Sequence, residues 1–369
     1  MCRLREPSDS QSPCAAPGTL YAATPRSFPK SPFLLFLAGL EIDLRHLRGD
    51  LLRLPLIGFA VTLAIGVTVG VGFHAAGWVT NPLFVAIALS ATSLGLVVPV
   101  LKDAGQAERP LGQYVIAGAT IADFGAVILL SLLFSEAEGG AASKLVTLGL
   151  FAGVIAAVGL TLARAGRSAR VDATLVRLQD TTAEIRVRIA VALLIGFVAL
   201  AAQVGLETIL GAFLAGAVLG LVDRDTATHP NFRLKLDAVG YGFVIPVFFV
   251  TSGLRFDLDA LTEEPSALAR VPVFLLALLI VRGVPALLYR RPLGGQGVRI
   301  AALLQATSLP FIVTASEIGV SIGVIAPATA AGLISAGLLS VVLFPPLALA
   351  RLRRLDPDPA TVPNPVLTP

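Results

Sequence analysis

A single aspartate, Asp123, sits near the middle of residues 112–134, an apolar run with no other Asp, Glu, Lys, Arg or His. A lone carboxylate in hydrocarbon is costly, and one at that depth marks a functional site by default. It has to be met there by a proton, a cation or a basic group. If it is open to both a proton and a metal ion, the two compete for it, and that competition is the chemistry an exchanger needs. The structural alternative is an aspartate that caps an interrupted helix or pairs with a base.

Two further segments supply oxygen. One reads Ser90-Ala91-Thr92-Ser93-Leu94-Gly95, with Pro99 beyond it; the other reads Gln305-Ala306-Thr307-Ser308-Leu309-Pro310. Pro310 removes a backbone donor and Gly95 loosens a turn, so both helices are expected to break near mid-membrane. Freed carbonyls and the hydroxyls of Thr92, Ser93, Thr307 and Ser308 suit a dehydrated hard cation, although small polar residues also serve close helix packing. Arg282, set well back from the interface anchors Arg290 and Arg291, is expected to be buried, neutralising the helix breaks or holding Asp123. Glu317 and Glu207 read as vestibule residues. His74 is a weak candidate for sensing pH, and His46 and His229 fall in loops.

These residues need a scaffold, and the composition names it. The 369-residue chain is 55% hydrophobic and 14% charged, which excludes an ordinary soluble domain. Eleven runs are long enough to cross a bilayer as helices: 31–44, 54–77, 81–101, 112–134, 145–163, 187–203, 206–222, 238–254, 271–289, 299–318 and 324–350. Counted loop by loop, twenty Lys and Arg fall on one side and only Lys144, Arg255 and Arg270 on the other, so the C-terminus is expected to be cytoplasmic. The basic balance thus reflects topology and calls for no nucleic acid.

The chain also repeats itself. Gly39-Leu40, Arg53-Leu54-Pro55, Ala91-Thr92-Ser93-Leu94 and Leu129-Leu130-Ser131 recur in order as Gly253-Leu254, Arg270-Val271-Pro272, Ala306-Thr307-Ser308-Leu309 and Leu338-Leu339-Ser340. The matching segments run in opposite directions, so the expected fold is all-α, with two inverted repeats and two crossed discontinuous helices. The expected divisions are a Pro- and Ser-rich tail at 1–30, a first repeat at 31–163, a cytoplasmic linker at 164–186, a second repeat at 187–350 and a tail at 351–369. Two helices precede 238–254 without counterparts before residue 31, so the first repeat is expected to lack two helices; a natural disordered tail is the alternative. Cys2 and Cys14 both lie in that tail and imply neither metal nor disulfide.

Phe36-Leu37-Ala38-Gly39-Leu40-Glu41-Ile42-Asp43-Leu44, Ser90-Ala91-Thr92-Ser93, Ile121-Ala122-Asp123-Phe124-Gly125-Ala126, Gly211-Ala212-Phe213-Leu214-Ala215-Gly216 and Gly240-Tyr241-Gly242-Phe243-Val244-Ile245-Pro246 together resemble the monovalent cation:proton antiporters. The nearest branch is that of bacterial sodium/hydrogen exchangers and Kef-type potassium efflux proteins, over residues 33–352. The resemblance implies a core of two crossed unwound helices, a dimerisation domain, hence a homodimer, and alternating access. It also implies that Asp123 binds cation (Na+ or K+) and proton in turn, with Arg282 nearby and no cofactor. Ala122 stands where electrogenic members carry a second acid, which points to one-for-one, electroneutral exchange. Leu94-Gly95 replaces a Pro common in the family, which bears on ion preference. The setting implied is the plasma membrane, crossed many times. The competing readings are a truncated non-transporting fragment, a passive cation channel, an organic-anion symporter whose cargo Asp123 would repel, and an intramembrane protease, which needs a second carboxylate.

Overall fold

Hydrocarbon gives a backbone N–H or C=O no partner, so an apolar chain must satisfy its main chain inside helices or a closed barrel. This chain uses helices. The computed structural model describes residues 32–40, 49–134, 141–166, 184–222, 230–254 and 265–355. In chain order the helices are α1 (Pro32–Leu40), α2 (Asp50–Ala75), α3 (Pro82–Ser90), α4 (Leu94–Asp103), α5 (Pro110–Phe134), α6 (Ala141–Gly166) and α7 (Ile185–Gln203). Next come α8 (Thr208–Val222), α9 (Pro230–Val239), a π-helical turn (Gly240–Val244) and α10 (Ile245–Leu254). Then follow α11 (Pro265–Gly283), a 3-10 turn (Val284–Tyr289), α12 (Arg290–Gln305), α13 (Pro310–Ser321) and α14 (Pro327–Leu355). Every apolar run expected from the sequence overlaps one helix or two consecutive ones. The expectations for the tail at 1–30, most of the linker at 164–186, the end of the chain beyond Leu355, and His46 and His229 lie outside the described residues.

Among the described residues six stretches are long and apolar enough to cross a bilayer: Asp50–Ala75, Pro82–Asp103, Pro110–Phe134, Ile185–Gln203, Leu268–Gln305 and Pro327–Arg354. They differ in depth. The apolar windows of Pro82–Asp103 and Pro110–Phe134 are 72% and 61% buried, against 28% for Asp50–Ala75 and 22% for Ile185–Gln203. The broken helix and the aspartate helix are therefore interior, and α2 and α7 lie towards the outside. Large apolar side chains such as Val146, Leu150, Ile195 and Val342 point outward, as a lipid-facing surface requires.

The helices that meet around Asp123 come from both ends of the sequence. α2 packs on α3 and α5, α11 on α14, and α12 on α5 and α14, while α13 lies against α3 and α14. Elsewhere α1, α6 and α7 pack on α8. The α1–α8 contact depends on missing side chains, because a Cβ at Gly39 would fall on the Phe213 carbonyl and one at Gly216 on the Phe36 carbonyl.

At one end the loop before α3 is tied to the loop after α13. Val79 and Ile325 form an isolated antiparallel bridge, Thr80 N donates to Val324 O at 3.2 Å, and Thr329 Oγ1 donates to Trp78 O at 2.8 Å. The Arg270 guanidinium lies 5.4 Å from the Trp78 ring centre, and Phe73, Trp78 and Phe274 pack on one another. The two interrupted helices are thus joined at one end as well as at their breaks.

Candidate functional site

The first break, Ala91–Ser93, falls one turn before Gly95 was expected to cause it. Asn81 starts α3 by accepting from Leu83 N and Phe84 N, with Pro82 at the first helical position. Ser90 Oγ then donates to Ile87 O at 2.8 Å, closing the last turn, and Ala91 turns extended (φ −76°, ψ 155°). No proline lies in the break itself. What replaces the helical bonds is a carboxylate: Thr92 N donates to Asp123 Oδ1 at 2.9 Å and Leu94 N to Asp123 Oδ2 at 3.3 Å. Hydrogen bonds to a charged acceptor contribute about 1.5–3 kcal/mol each, more than the ~1 kcal/mol of a neutral backbone bond, so the aspartate offsets the unwinding. Gly95 and Pro99 both lie inside α4.

The second break, Ala306–Leu309, ends at Pro310, the first residue of α13, as expected from its missing N–H. Ser308 N donates to Ser340 Oγ at 3.1 Å, and Thr307 Oγ1 turns back to Leu303 O at 3.2 Å. The breaks touch directly: Ser93 N donates to Thr307 O at 2.8 Å. Thr92, Ser93, Thr307 and Ser308 are all buried, and Ser308 Oγ has no hydrogen-bond partner.

Arg282 lies at the end of α11 and is only 2% exposed, so it does not snorkel. Its Nε and Nη2 donate to Thr92 Oγ1 at 2.8 and 2.6 Å, Nη1 to Thr62 Oγ1 at 3.2 Å, and Nη2 also to Gly118 O at 3.4 Å. Thr92 Oγ1 in turn donates to Gln305 O at 2.7 Å. Among the described residues Asp123 and Arg282 are the only buried charged side chains. The guanidinium meets the carboxylate through Thr92, whose hydroxyl it holds and whose amide faces the aspartate.

Asp123, Thr92, Ser93, Thr307 and Arg282 are therefore linked in one buried cluster, and Ser308 joins it through the second break. Glu317 and His74 are exposed, away from that interior; the His74 ring nitrogen Nδ1 lies 2.9 Å from Val79 O. Glu207 N donates to Ser131 Oγ at 3.2 Å. Sequence reasoning passed over Gln305, Thr62, Gly118, Tyr289 and Ser340. Gln305 Nε2 donates to Tyr289 OH at 3.4 Å, and a Cβ at Gly118 would collide with that same amide. Gln305 carried a signal, an amide in an apolar run just before a repeated tetrapeptide. Thr62 and Gly118 carried none, since Thr and Gly are common in membrane helices.

An all-helical membrane chain in which two interrupted helices cross beside a buried carboxylate has the architecture in which secondary transporters place their sites. The chain belongs to the sodium/hydrogen exchanger family, whose transmembrane model matches residues 31–349. It is 30% identical over 343 residues to "Putative Na(+)/H(+) antiporter YjbQ" of Bacillus subtilis (strain 168), covering 89% of this chain and 54% of that protein. It is 28% identical over 235 residues to the Na(+)/H(+) antiporter of Enterococcus hirae, covering 63% of this chain and 59% of the relative. The chain thus spans little more than half the length of these relatives. Its fold is similar to that of the sodium proton antiporter MjNhaP1 from Methanocaldococcus jannaschii, with a TM-score of 0.60 over 89% of this chain and 84% of that one at 19% identity.

Proposed function

We propose that this chain exchanges Na+ or K+ for H+ across a membrane, one for one, with Asp123 as the group both ions share. The observation that carries the proposal is the setting of Asp123. It is a buried carboxylate held by two backbone N–H groups at the break of one helix, beside the Ser93–Thr307 contact with the other. The oxygens of Ser93, Thr307 and Ser308 complete a hard-cation site beside the carboxylate. A proton and a cation each neutralise Asp123, so swapping one for the other leaves the charge of the moving unit unchanged, in keeping with Ala122 in place of a second acid.

Alternating access follows from the inverted repeats read in the sequence, with cytoplasmic and external openings exchanged as the two halves trade conformations. The Lys and Arg distribution supports a plasma-membrane orientation with the C-terminus in the cytoplasm, and membership of the family supports a homodimer. The similarity to named Na(+)/H(+) antiporters supports these ions as cargo.

The test is Asp123→Asn in proteoliposomes carrying a pH gradient. Addition of Na+ or K+ should dissipate the gradient with the wild-type chain and leave it intact with the variant, while the variant elutes as a folded protein. Normal exchange by Asp123→Asn would reject the assignment, and cation current at fixed pH without proton movement would show a channel instead.

A further inference from the structure

Thr92 stands among the oxygens that suit a cation, but its hydroxyl has no capacity left for one. A threonine hydroxyl has one proton and two acceptor sites. Here the proton goes to Gln305 O, and both acceptor sites are filled by Nε and Nη2 of Arg282. The main chain of the same residue does something else: Thr92 N donates to Asp123 Oδ1. One residue therefore joins the buried cation, the buried anion and the second broken helix.

We propose that Thr92 is a positioning residue that keeps Arg282 off Asp123. A guanidinium buried beside a carboxylate would ordinarily form a bidentate ion pair with it and close the carboxylate to other cations. In this chain the N–H groups of Arg282 are directed to Thr92, Thr62 and Gly118 O. The positive charge stays in the same buried cluster as Asp123, with its hydrogen bonds directed to other acceptors. Gly118 belongs to the same device. Its carbonyl takes an Arg282 bond, and its missing side chain leaves room for Gln305, whose carbonyl fixes the Thr92 hydroxyl. With the hydroxyl deleted, Nε and Nη2 lose their principal acceptor. The only other buried charge among the described residues is Asp123, so the guanidinium turns to it and competes with the cargo.

This inference rests on Asp123 being the exchange site, and its test separates the two. The measurement is the half-saturating concentration of Na+ or K+ for gradient dissipation in proteoliposomes, in a cycle of wild type, Thr92→Val, Arg282→Gln and the double variant. Thr92→Ser and Asp123→Asn accompany it, and Thr92→Ala replaces Thr92→Val if the latter does not fold. A group acting through another shows non-additive effects, whereas a direct ligand contributes the same factor in either background. The expected result is that Thr92→Val raises half-saturation about tenfold in the wild-type background and less than about twofold beside Arg282→Gln, with the maximal rate changed less than the half-saturation. Thr92→Ser, which keeps the hydroxyl, should stay within about twofold of wild type. An equal factor in both backgrounds would make Thr92 a cation ligand and overturn the proposal. So would an unchanged half-saturation in Thr92→Val, or a Thr92→Ser as impaired as Thr92→Val. Exchange by Asp123→Asn would instead remove the functional reading beneath it.

Discussion

The two helix breaks share the tetrapeptide Ala-Thr-Ser-Leu and are held open by different means. At Ala91–Ser93 the amides of Thr92 and Leu94 go to a carboxylate, and the threonine hydroxyl reaches across to Arg282 and Gln305. At Ala306–Leu309 the freed Ser308 amide goes to the neutral hydroxyl of Ser340, and the threonine hydroxyl folds back onto its own helix at Leu303 O. The first break is charged and connected, the second neutral and local. Identical residues thus acquire different work from the side chains that neighbouring helices bring to them: Asp123 on α5 for one, Ser340 on α14 for the other.

That contrast can be broken or sharpened by substitution. The largest effect is expected at the charged break, where Asp123→Asn should lower cation-driven proton flux by more than about a hundredfold, since a general proton-binding group is removed outright. The amide oxygen still accepts from one backbone N–H, and the charged bond to the other, about 1.5–3 kcal/mol, is lost, so the unfolding midpoint in detergent should fall by no more than that corresponds to. Large stability loss in that variant would mean the carboxylate is mainly structural.

Next comes a control outside both breaks. Gly216→Leu on α8 drives into the Phe36 carbonyl and forces α1 away from α8, and overpacking of this kind costs about 1–3 kcal/mol or more, read as a lowered unfolding midpoint. The cation half-saturation of the protein that still folds should be unchanged. A raised half-saturation would connect the α1–α8 contact to the ion site.

A third variant is Gly118→Ala, whose methyl group must displace the Gln305 amide. Loss of the Gln305–Tyr289 bond and local strain should together cost about 1–2 kcal/mol and raise the cation half-saturation several-fold. Wild-type half-saturation there would detach Gln305 from the charged break. The smallest effect is expected at the neutral break. Ser340→Ala leaves the buried Ser308 amide without its acceptor, costing about 1 kcal/mol, with exchange by the folded protein changed less than about threefold. If Ser340→Ala silenced exchange as Asp123→Asn does, the two breaks would be equivalent after all.

Much of this site was legible in the residues. Asp123 stood out because a carboxylate in an apolar run has no cheap explanation, and Arg282 because it stands well back from the interface anchors Arg290 and Arg291. Pro310 announced its break through a missing N–H. Ser90–Gly95 marks the first break but not its cause. Gly95 lies within α4, and the unwinding is sustained by Asp123, a residue 31 positions from Thr92 whose reach no local pattern encodes. Gln305 was visible as an amide in apolar surroundings, yet its use of the backbone carbonyl to hold Thr92 depends on the crossing. Thr62 gave no signal, and Ser340 entered only as a landmark of the repeat, since a hydroxyl in a membrane helix commonly bonds to its own preceding turn.

Composition and charge placement alone determined that the chain is helical, that it belongs in a bilayer, and that Asp123 and Arg282 remain inside. Those outcomes follow from transfer energies, which depend on residue type and run length and hardly on partners. Only the tertiary structure decided that the base meets the acid through a threonine, and which hydroxyls are already engaged. Hydrogen bonds are short and directional, so their pairing is set by where distant helices cross, and that crossing is a property of the packed whole.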